Sequence, residues 1–329
     1  MRLEALHAWL TTVLAGAPFT LAPASADASF RRYFRVTCDD GTRIAMDAPP
    51  EREDCRPFVQ VAQLMREAGV HVPEVMAGDI DRGFLLLTDL GDTTYLHALT
   101  GDNADALFAD AMDALIAWQC ASRPGVLPPY DRALLQREMD LFPEWYVGRH
   151  LALVLSAAQC ETLAGVTGLL ADSALAQPAV YVHRDYMPRN LMLSRPNPGV
   201  LDFQDAVYGP ITYDVASLFR DAFISWPEER VLDWTVRYWE RAKRAQLPVD
   251  ADFGAFYRAF EWMGLQRHLK VLGIFARIRY RDGKPDYLED APRFLAYVHA
   301  VCGRYASLAP LARLLDELEQ RPPQVGYTF

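Results

Sequence analysis

The sequence has few cysteines, a deficit of basic residues and no apolar run of membrane-spanning length. Five cysteines are scattered over 329 residues without a C-x-x-C pair, which excludes a disulfide framework or zinc site and favours the cytoplasm. With 33 basic against 43 acidic residues and a net charge of −10, the chain lacks the basic footprint of a nucleic-acid-binding protein. No apolar run approaches the roughly 18 residues that cross a bilayer, so we expect no membrane partner.

The N-terminal segment has some features of a signal peptide. Residues 10–26 are mostly apolar and end in Ala-Ser-Ala, but Glu4 and His7 interrupt the leader. Leu3, Leu6 and Leu10 fall at helical spacing. An amphipathic first helix therefore explains the segment better than secretion does.

The pattern of apolar residues changes about a quarter of the way along the chain. Residues 30–36 and 42–47 alternate like the strands of a hairpin, and residues 84–87 form a short apolar run typical of a buried strand. A helical period appears at residues 58–68 and dominates from about residue 93 onward. The sequence thus predicts an α+β protein with a small β-rich N-terminal lobe (1–92) and a larger helical C-terminal lobe (93–329).

One segment carries residue types suited to phosphoryl transfer. Residues 183–190 read H-x-D-x-x-x-x-N, and an apolar-apolar-Asp-Phe sequence follows at residues 200–203. Asp185 would orient an acceptor hydroxyl and take its proton, while Asn190 and Asp202 would supply hard oxygen ligands for Mg²⁺. The short strands beside Asn190 and Asp202 are expected to pair as a hairpin that turns at residues 196–199.

Two segments are candidates for nucleotide binding, although the chain has no G-x-x-x-x-G-K-[ST] phosphate loop. The first is a phosphate-covering loop at the start of the first predicted hairpin, where backbone N–H groups and arginine side chains could bind phosphates. Its candidate residues are Ala28, Ser29, Phe30, Arg31 and Arg32. A second segment follows the apolar run at 84–87, where backbone groups could read an adenine edge: Thr88, Asp89 and Leu90.

These motifs together resemble the aminoglycoside phosphotransferase-like kinase family. The resemblance rests on residues 29–34, 86–91, 183–190, 202–203 and 209–216, so it covers nearly the whole chain. It implies a protein-kinase-like bilobal fold, ATP and Mg²⁺ as cofactors, Asp185 as the base, and Asn190 and Asp202 as metal ligands. Residues 45–50 and 204–210 are most similar to bacterial kinases that phosphorylate N-acetylmuramate and N-acetylglucosamine at the anomeric hydroxyl during cell-wall (peptidoglycan) recycling.

The chain departs from the kinase pattern at one position. Kinases usually carry a lysine on the second hairpin strand, paired with a helix glutamate, whereas this strand reads Arg-Ile-Ala-Met-Asp and places Met46 at the lysine position. Either Arg31, Arg32 or Arg43 replaces the missing charge, or the nucleotide is bound in an unusual way. Because the base and both metal ligands are present, we interpret the chain as an active enzyme.

Other residues around the motif are assigned by their type and position. Arg189 is a candidate for the transferring phosphoryl group or a substrate carboxylate, Asp205 for a sugar hydroxyl, and Arg220 for the carboxylate of N-acetylmuramate. Arg267, His268 and Arg277 are alternatives to Arg220. His183 and Arg184 are expected to be structural, and Asp214 is expected to brace the catalytic loop from the start of a helix.

Two other functions remain open at this point. A kinase of an aminoglycoside or another small cationic alcohol would need an acidic pocket, for which Asp282, Asp286, Glu289 and Asp290 are the obvious source. A non-catalytic nucleotide-binding scaffold is suggested only by the missing lysine. A protein kinase is disfavoured because no Ala-Pro-Glu follows Asp202. We expect a monomer whose partner is a small-molecule sugar.

Overall fold

The structure is a computed structural model that describes residues 2–25 and 30–319, and it divides the chain into two compact units. The first, here called the sheet unit, comprises Met1–Ala121 and Pro188–Ala206. The second, the helical unit, comprises Ser122–Met187 and Val207–Phe329. The lobe boundary near residue 92 stays a prediction.

The longer strands lie in the first part of the chain and the longest helix lies in the last part. Up to Ala121 they are α1 (Arg2–Val13), β1 (Thr20–Ser25), β2 (Arg32–Cys38), β3 (Gly41–Asp47), α2 (Arg56–Glu67), β4 (Val75–Asp79), β5 (Phe84–Thr88), α3 (Tyr95–Ala98) and α4 (Ala104–Cys120). From there to the middle of the chain they are α5 (Arg132–Met139), a π-helix (Phe142–His150), α6 (Ala157–Leu175), β6 (Ala179–Val182), a 3₁₀ turn (Pro188–Asn190), β7 (Leu191–Met192), β8 (Gly199–Val200) and β9 (Val207–Pro210). The rest is helical: α7 (Tyr213–Phe219), α8 (Glu228–Arg244), α9 (Phe253–Asp282), a 3₁₀ turn (Pro285–Asp290), α10 (Ala291–Arg304), a 3₁₀ turn (Ala306–Leu308) and α11 (Ala309–Leu318).

The sheet unit is built on a five-stranded antiparallel sheet in the order β1-β2-β3-β5-β4. The helix α1 packs on this sheet because its apolar stripe, which includes Leu6, Trp9 and Leu10, is buried with strand residues such as Val36 and Phe84. This confirms the predicted amphipathic first helix. The hairpin predicted around residue 40 is present as β2 and β3.

A second small hairpin in the sheet unit carries the predicted metal ligands. Strands β7 and β8 pair through Leu191 with Val200, as the sequence predicted. Helix α2 lies against the end of this hairpin, since the rings of Phe58 and Phe203 have centroids 4.8 Å apart. The Asp202–Phe203 segment is therefore packed on α2.

The helical unit is organised around α9, a helix of 30 residues that is buried over most of its length. The Asp252 side chain caps its first turn by accepting hydrogen bonds from the N–H groups of Gly254 and Ala255. It ends at Gly283, whose φ of +71° suits glycine. Strand β6 pairs antiparallel with β9, which places the segment after Val182 at the end of a two-stranded ribbon. The α+β fold class predicted from the sequence is confirmed.

Among the described helices, none combines the length and the apolar composition that a membrane span requires.

Candidate active site

The loop that carries Asp185 is held by the backbone groups that precede it. Asp214, at the start of α7, accepts hydrogen bonds from the N–H groups of His183 at 2.6 Å and Arg184 at 3.0 Å. Burial raises the pKa of Asp214 to about 7, against the opposing effect of these two N–H donors. These contacts confirm the prediction that Asp214 braces this loop from the start of a helix.

Arg184 has an unusual backbone conformation, and its side chain binds the buried Glu138. Its φ of +77° is unusual for a side chain other than glycine, and its guanidinium donates to Glu138 Oε1 at 2.6 Å. Glu138 also receives Lys270 Nζ at 3.0 Å, Gln266 Nε2 at 3.2 Å and the hydroxyl of Tyr130. Burial alone would raise the pKa of Glu138, but Lys270 and Arg184 lower it to about 2. The acid is therefore ionised and bound on several sides.

His183 and Asp185 complete the loop. The N–H of Asp185 donates to Nδ1 of the fully buried His183 at 3.2 Å, and the His183 ring packs edge-on against Tyr186. The Asp185 side chain is half-buried. His183 and Arg184 thus pack and orient the backbone, in agreement with the structural roles expected of them.

Removing the charge of Glu138 should destabilise the helical unit. E138Q leaves the half-buried Arg184 and the buried Lys270 without their counter-ion, and breaking a buried ion pair in this way costs about 3 kcal/mol. We expect the free energy of unfolding in urea at pH 7 to fall by that amount. E229Q, which alters an exposed glutamate on α8, is the matched control and should leave it unchanged.

The deficit of E138Q should depend on pH. The folded-state pKa of Glu138 lies below its unfolded value, so its stabilising effect is complete above about pH 4.5 and is lost as pH falls toward 2. The difference between wild type and E138Q should therefore shrink in acid. A difference that stays constant from pH 7 to pH 3 would contradict the ion-pair account.

Asn190 and Asp202 meet in the sheet unit. Asn190 Nδ2 lies 3.4 Å from Asp202 Oδ2, and the N–H of Leu201 donates to the Asn190 carbonyl at 2.9 Å. Asp202 has a φ of +63°, an uncommon backbone conformation for a residue other than glycine. Gln204, to which the sequence motifs gave no role, donates from Nε2 to Asp202 Oδ1 at 2.9 Å. Because Gln204 lies two residues after Asp202 in the sequence, a contact between the two side chains could have been predicted.

This pair fits a hard cation better than a zinc-type site. Within residues 2–25 and 30–319, no three His, Cys, Asp or Glu side chains group together in a way that could hold a metal. A carboxylate together with an amide side chain offers the oxygen donors that Mg²⁺ prefers, with water and phosphate completing its coordination.

The predicted phosphate-binding tip is partly outside the described residues. Ala28 and Ser29 fall in the undescribed segment, whereas Phe30 is 57% exposed and lies under the Arg52 guanidinium at 4.9 Å. Arg31 donates to Glu53 Oε2 at 2.9 Å, just before α2.

The other two arginines proposed for the lysine position have different surroundings. Arg32 forms an ion pair with the buried Asp47, which also binds Arg2. Arg43 pairs with Asp40 at 2.7 Å near the hairpin turn. Both therefore make contacts that support the sheet.

The lysine–glutamate pair of kinases is absent from β3 and α2. Met46 is 0% exposed and lies between Tyr33 and Leu85 of the flanking strands. The buried face of α2 consists of Phe58, Val61, Ala62 and Met65, with no glutamate. Apolar residues thus stand on both elements where kinases carry the ion pair.

The segment Thr88–Leu90 is fixed by side chains on both sides. Thr88 exchanges two hydrogen bonds with Glu74, one at 3.0 Å through its N–H and one at 2.9 Å through its hydroxyl. Arg35 binds both carboxylate oxygens of Asp89, at 2.7 and 3.1 Å, and lowers its pKa although burial acts in the opposite direction. Thr88, Asp89 and Leu90 border a cavity of about 460 Å³ that His71 and Ser194 also line.

The three substrate candidates have unlike environments. Arg189 is half-buried in the 3₁₀ turn beside Asn190, and Asp205 is exposed on the sheet unit. Arg220 is buried in the helical unit, where its guanidinium lies 2.9 Å from Glu228 and 3.8 Å from Glu261. Arg189 and Asp205 thus belong to the unit that holds Asn190 and Asp202, and Arg220 to the unit that holds Asp185.

Comparison with known proteins identifies relatives that match most of the chain. The model of the phosphotransferase enzyme family matches residues 20–249. An N-acetylmuramate/N-acetylglucosamine kinase of Pseudomonas putida is 60% identical over 300 residues, covering 91% of this chain and 88% of the relative. A kinase of the same name from Pseudomonas aeruginosa is 54% identical and covers 97% of both chains.

A solved structure shares the fold at low identity. It is a ternary complex of an aminoglycoside phosphotransferase with streptomycin and ATP, which is 15% identical and has a TM-score of 0.57. The match covers 88% of this chain and 97% of that one. The protein-kinase-like fold expected from the sequence is thereby confirmed.

Proposed function

The chain belongs to the phosphotransferase enzyme family, and on that premise we propose that it is an ATP- and Mg²⁺-dependent kinase of N-acetylmuramate and N-acetylglucosamine that phosphorylates the anomeric hydroxyl. The observation that carries the proposal is the convergence of Asn190 and Asp202 at the end of the β7–β8 hairpin. The names of the relatives, at 60% and 54% identity, support the sugar as the acceptor.

We assign the metal to Asn190 and Asp202. Gln204 fixes one oxygen of Asp202, which leaves the other directed toward Asn190. Mg²⁺ bound there would neutralise phosphate charge during transfer. Support from neighbouring side chains is typical of functional metal ligands.

We assign the proton transfer to Asp185. Its carboxylate would accept the proton of the sugar hydroxyl as the new oxygen–phosphorus bond forms and the bond to the departing ADP breaks, with the electron pair leaving on the ADP oxygen. The contacts of Asp214 and Glu138 with the preceding residues fix the loop and so limit the freedom of this carboxylate. Positioning of this kind supplies much of the rate in phosphoryl transfer.

We assign the nucleotide to the sheet unit. The backbone of Thr88–Leu90, held by Glu74 and Arg35, would read the adenine edge, and Ala28, Ser29, Phe30 and Arg32 belong to the proposed phosphate-covering tip. The three lysines of the chain are Lys243, Lys270 and Lys284, so a cation from the sheet unit must be arginine or histidine.

Arg31 is our candidate for the missing lysine. Its partner Glu53 lies just before α2, and α2 packs against Phe203 beside Asp202. An arginine braced by an acid next to this helix reproduces the charge arrangement of the lysine–glutamate pair. Arg32 and Arg43 support the sheet instead.

Loss of this arginine should weaken nucleotide binding. R31M should raise the Kd for ATP about 10- to 100-fold, because a hydrogen bond between charged groups contributes about 1.5–3 kcal/mol. Isothermal titration calorimetry with ATP and Mg²⁺ measures this without turnover. R43M is the matched control, and equal weakening in both variants would rule out a special role for Arg31.

Three residues remain proposals for the acceptor site. The exposed carboxylate of Asp205 would accept a hydrogen bond from a sugar hydroxyl, and Arg189 would bind the phosphoryl group or a substrate carboxylate. Arg220, oriented by Glu228 and Glu261, is retained as a third substrate candidate.

The structure gives less support to a cationic acceptor. Asp282 is paired with Arg281 at 2.7 Å, and Asp290 is paired with Arg293 at 2.9 Å. These ion pairs neutralise half of the acidic cluster that would have attracted an amine.

An acceptor screen tests the proposed function. ADP release is measured with ATP and either N-acetylmuramate, N-acetylglucosamine, kanamycin or choline. We expect turnover with the two N-acetylated sugars at least about 100-fold above that with the amines, a difference of about 2.7 kcal/mol in transition-state binding. Turnover confined to an amine, or ADP release independent of any acceptor, would reject the proposal.

A further inference from the structure

Arg267 on α9 is a buried cation whose hydrogen-bonding capacity is not fully used. The residue is 1% exposed, and its Nη1 has no hydrogen-bond partner among the described residues. Its Nη2 contacts the Sδ of Met187 at 4.0 Å. A thioether is a weak acceptor and carries no charge, so it does not replace a counter-ion.

The other buried cations of the helical unit are matched by carboxylates. Lys270 lies 3.0 Å from Glu138, and Arg220 lies 2.9 Å from Glu228. Desolvating a guanidinium without such a partner costs several kcal/mol. Arg267 therefore departs from the pattern that its own unit follows.

Two buried acids of the helical unit, Asp214 and Asp221, attract Arg267 through space. Both oxygens of Asp214 accept N–H groups of the loop before Asp185. Asp221 accepts the N–H groups of Phe223 at 2.7 Å and Ile224 at 3.0 Å through Oδ1, and its buried Oδ2 has no hydrogen-bond partner among the described residues. Both carboxylates organise loops and neither accepts a hydrogen bond from the Arg267 guanidinium, so its Nη1 can bind another anion.

Met187 is suited to cover such a site in the absence of the anion. It follows Asp185 by two residues, so the guanidinium lies next to the loop that we assign to the acceptor hydroxyl. Methionine is unbranched and has three rotatable bonds, so it can turn aside at little cost. A carboxylate could then replace the sulfur beside the guanidinium and form a charge-assisted bidentate pair with Arg267.

We propose that Arg267 recognises the carboxylate of an acidic acceptor sugar, the lactyl group of N-acetylmuramate, and so determines specificity between the two sugars. The inference rests on the proposed function. N-acetylglucosamine has no carboxylate, so it would be phosphorylated without this contact. Arg220, His268 and Arg277, the alternatives drawn from the sequence, are then not required for carboxylate binding.

The test combines enzyme variants with substrate variants. Wild type, R267K, R267M and the exposed control R279M are assayed for kcat/KM with N-acetylmuramate, its methyl ester and N-acetylglucosamine. In wild type and R279M, the acid should exceed the ester about 10- to 100-fold, the effect of one charge-assisted pair. In R267M the acid should fall to the level of the ester, while N-acetylglucosamine changes less than about twofold, which is within 0.5 kcal/mol. R267K should lie between them because lysine keeps the charge but loses the bidentate geometry.

The remaining outcomes decide against the inference. If wild type phosphorylated N-acetylmuramate and its methyl ester equally well, carboxylate recognition by Arg267 would be disproved. This comparison needs no variant, so it stays decisive even if R267M does not fold. An equal loss on all three substrates in R267M would show that Arg267 acts on the phosphoryl group or on the fold. Failure of wild type to phosphorylate N-acetylglucosamine would instead reject the proposed function, so the two failures are distinguishable.

Discussion

Replacing Asp185 with asparagine is expected to lower kcat about 100- to 10,000-fold, the usual contribution of a general base. Asparagine keeps the size of the side chain and the backbone hydrogen bond to His183, but it cannot take the hydroxyl proton. ADP release with saturating ATP and N-acetylglucosamine measures the loss. The Kd for ATP and the midpoint of thermal unfolding should stay at their wild-type values, because the loop is held by Asp214 and Glu138.

The control for Asp185 is D140N, which removes an exposed carboxylate of the same unit. It should retain full activity. A D185N enzyme that keeps more than about a tenth of the wild-type kcat would lose less than 1.4 kcal/mol of transition-state stabilisation, too little for a base. Asp185 would then have only a positioning role.

Replacing Asp202 with asparagine is expected to lower kcat about 1,000-fold, since charge stabilisation by a metal contributes several kcal/mol. Asparagine tolerates the left-handed backbone at φ +63°, so the variant removes a charge without straining the turn. The concentration of Mg²⁺ at half-maximal activity should also rise. A titration of activity with Mg²⁺ at saturating ATP measures both effects.

The matched control for Asp202 is D81N, an exposed aspartate on the loop between β4 and β5. It should show wild-type dependence on Mg²⁺. If D202N lost activity with an unchanged Mg²⁺ requirement, the carboxylate would act on the fold or the substrate, and the metal assignment would be wrong.

The sequence predicted the elements whose residue patterns are strong and local. The β7–β8 hairpin, the hairpin around residue 40 and the long helices all appear where apolar periodicity and turn residues indicated them. Strands β1 and β4 were not predicted. β1 contains Pro23, β4 contains Gly78, and each pairs with an irregular register at the edge of the sheet, so neither shows a regular alternation.

The candidate site was predicted where its residues are close in sequence. Asn190 and Asp202 are twelve residues apart, and a short hairpin is enough to bring them together. Contacts across long separations were not predictable in this way. Glu138 lies 46 residues before Arg184, and Met187 lies 80 residues before Arg267, so only tertiary packing reveals these pairs.

The kinase lysine that is missing from β3 raises the question of which arginine supplies its charge. The sequence offered three arginines as replacements and no means of choosing among them. The structure distinguishes them by their partners, because Asp47 and Asp40 bind Arg32 and Arg43 at the sheet, whereas Glu53 holds Arg31 beside α2. The choice of Arg31 thus depends on carboxylates that no sequence motif marks.

The most direct test of the central claim is the identity of the phosphorylated atom. The product of ATP, Mg²⁺ and N-acetylmuramate is examined by proton–phosphorus correlation NMR. Our account predicts one phosphorus signal coupled to the anomeric proton of the sugar, formed in step with ADP and missing with D185N. Coupling to the C6 protons, or release of inorganic phosphate without a sugar phosphate, would contradict it.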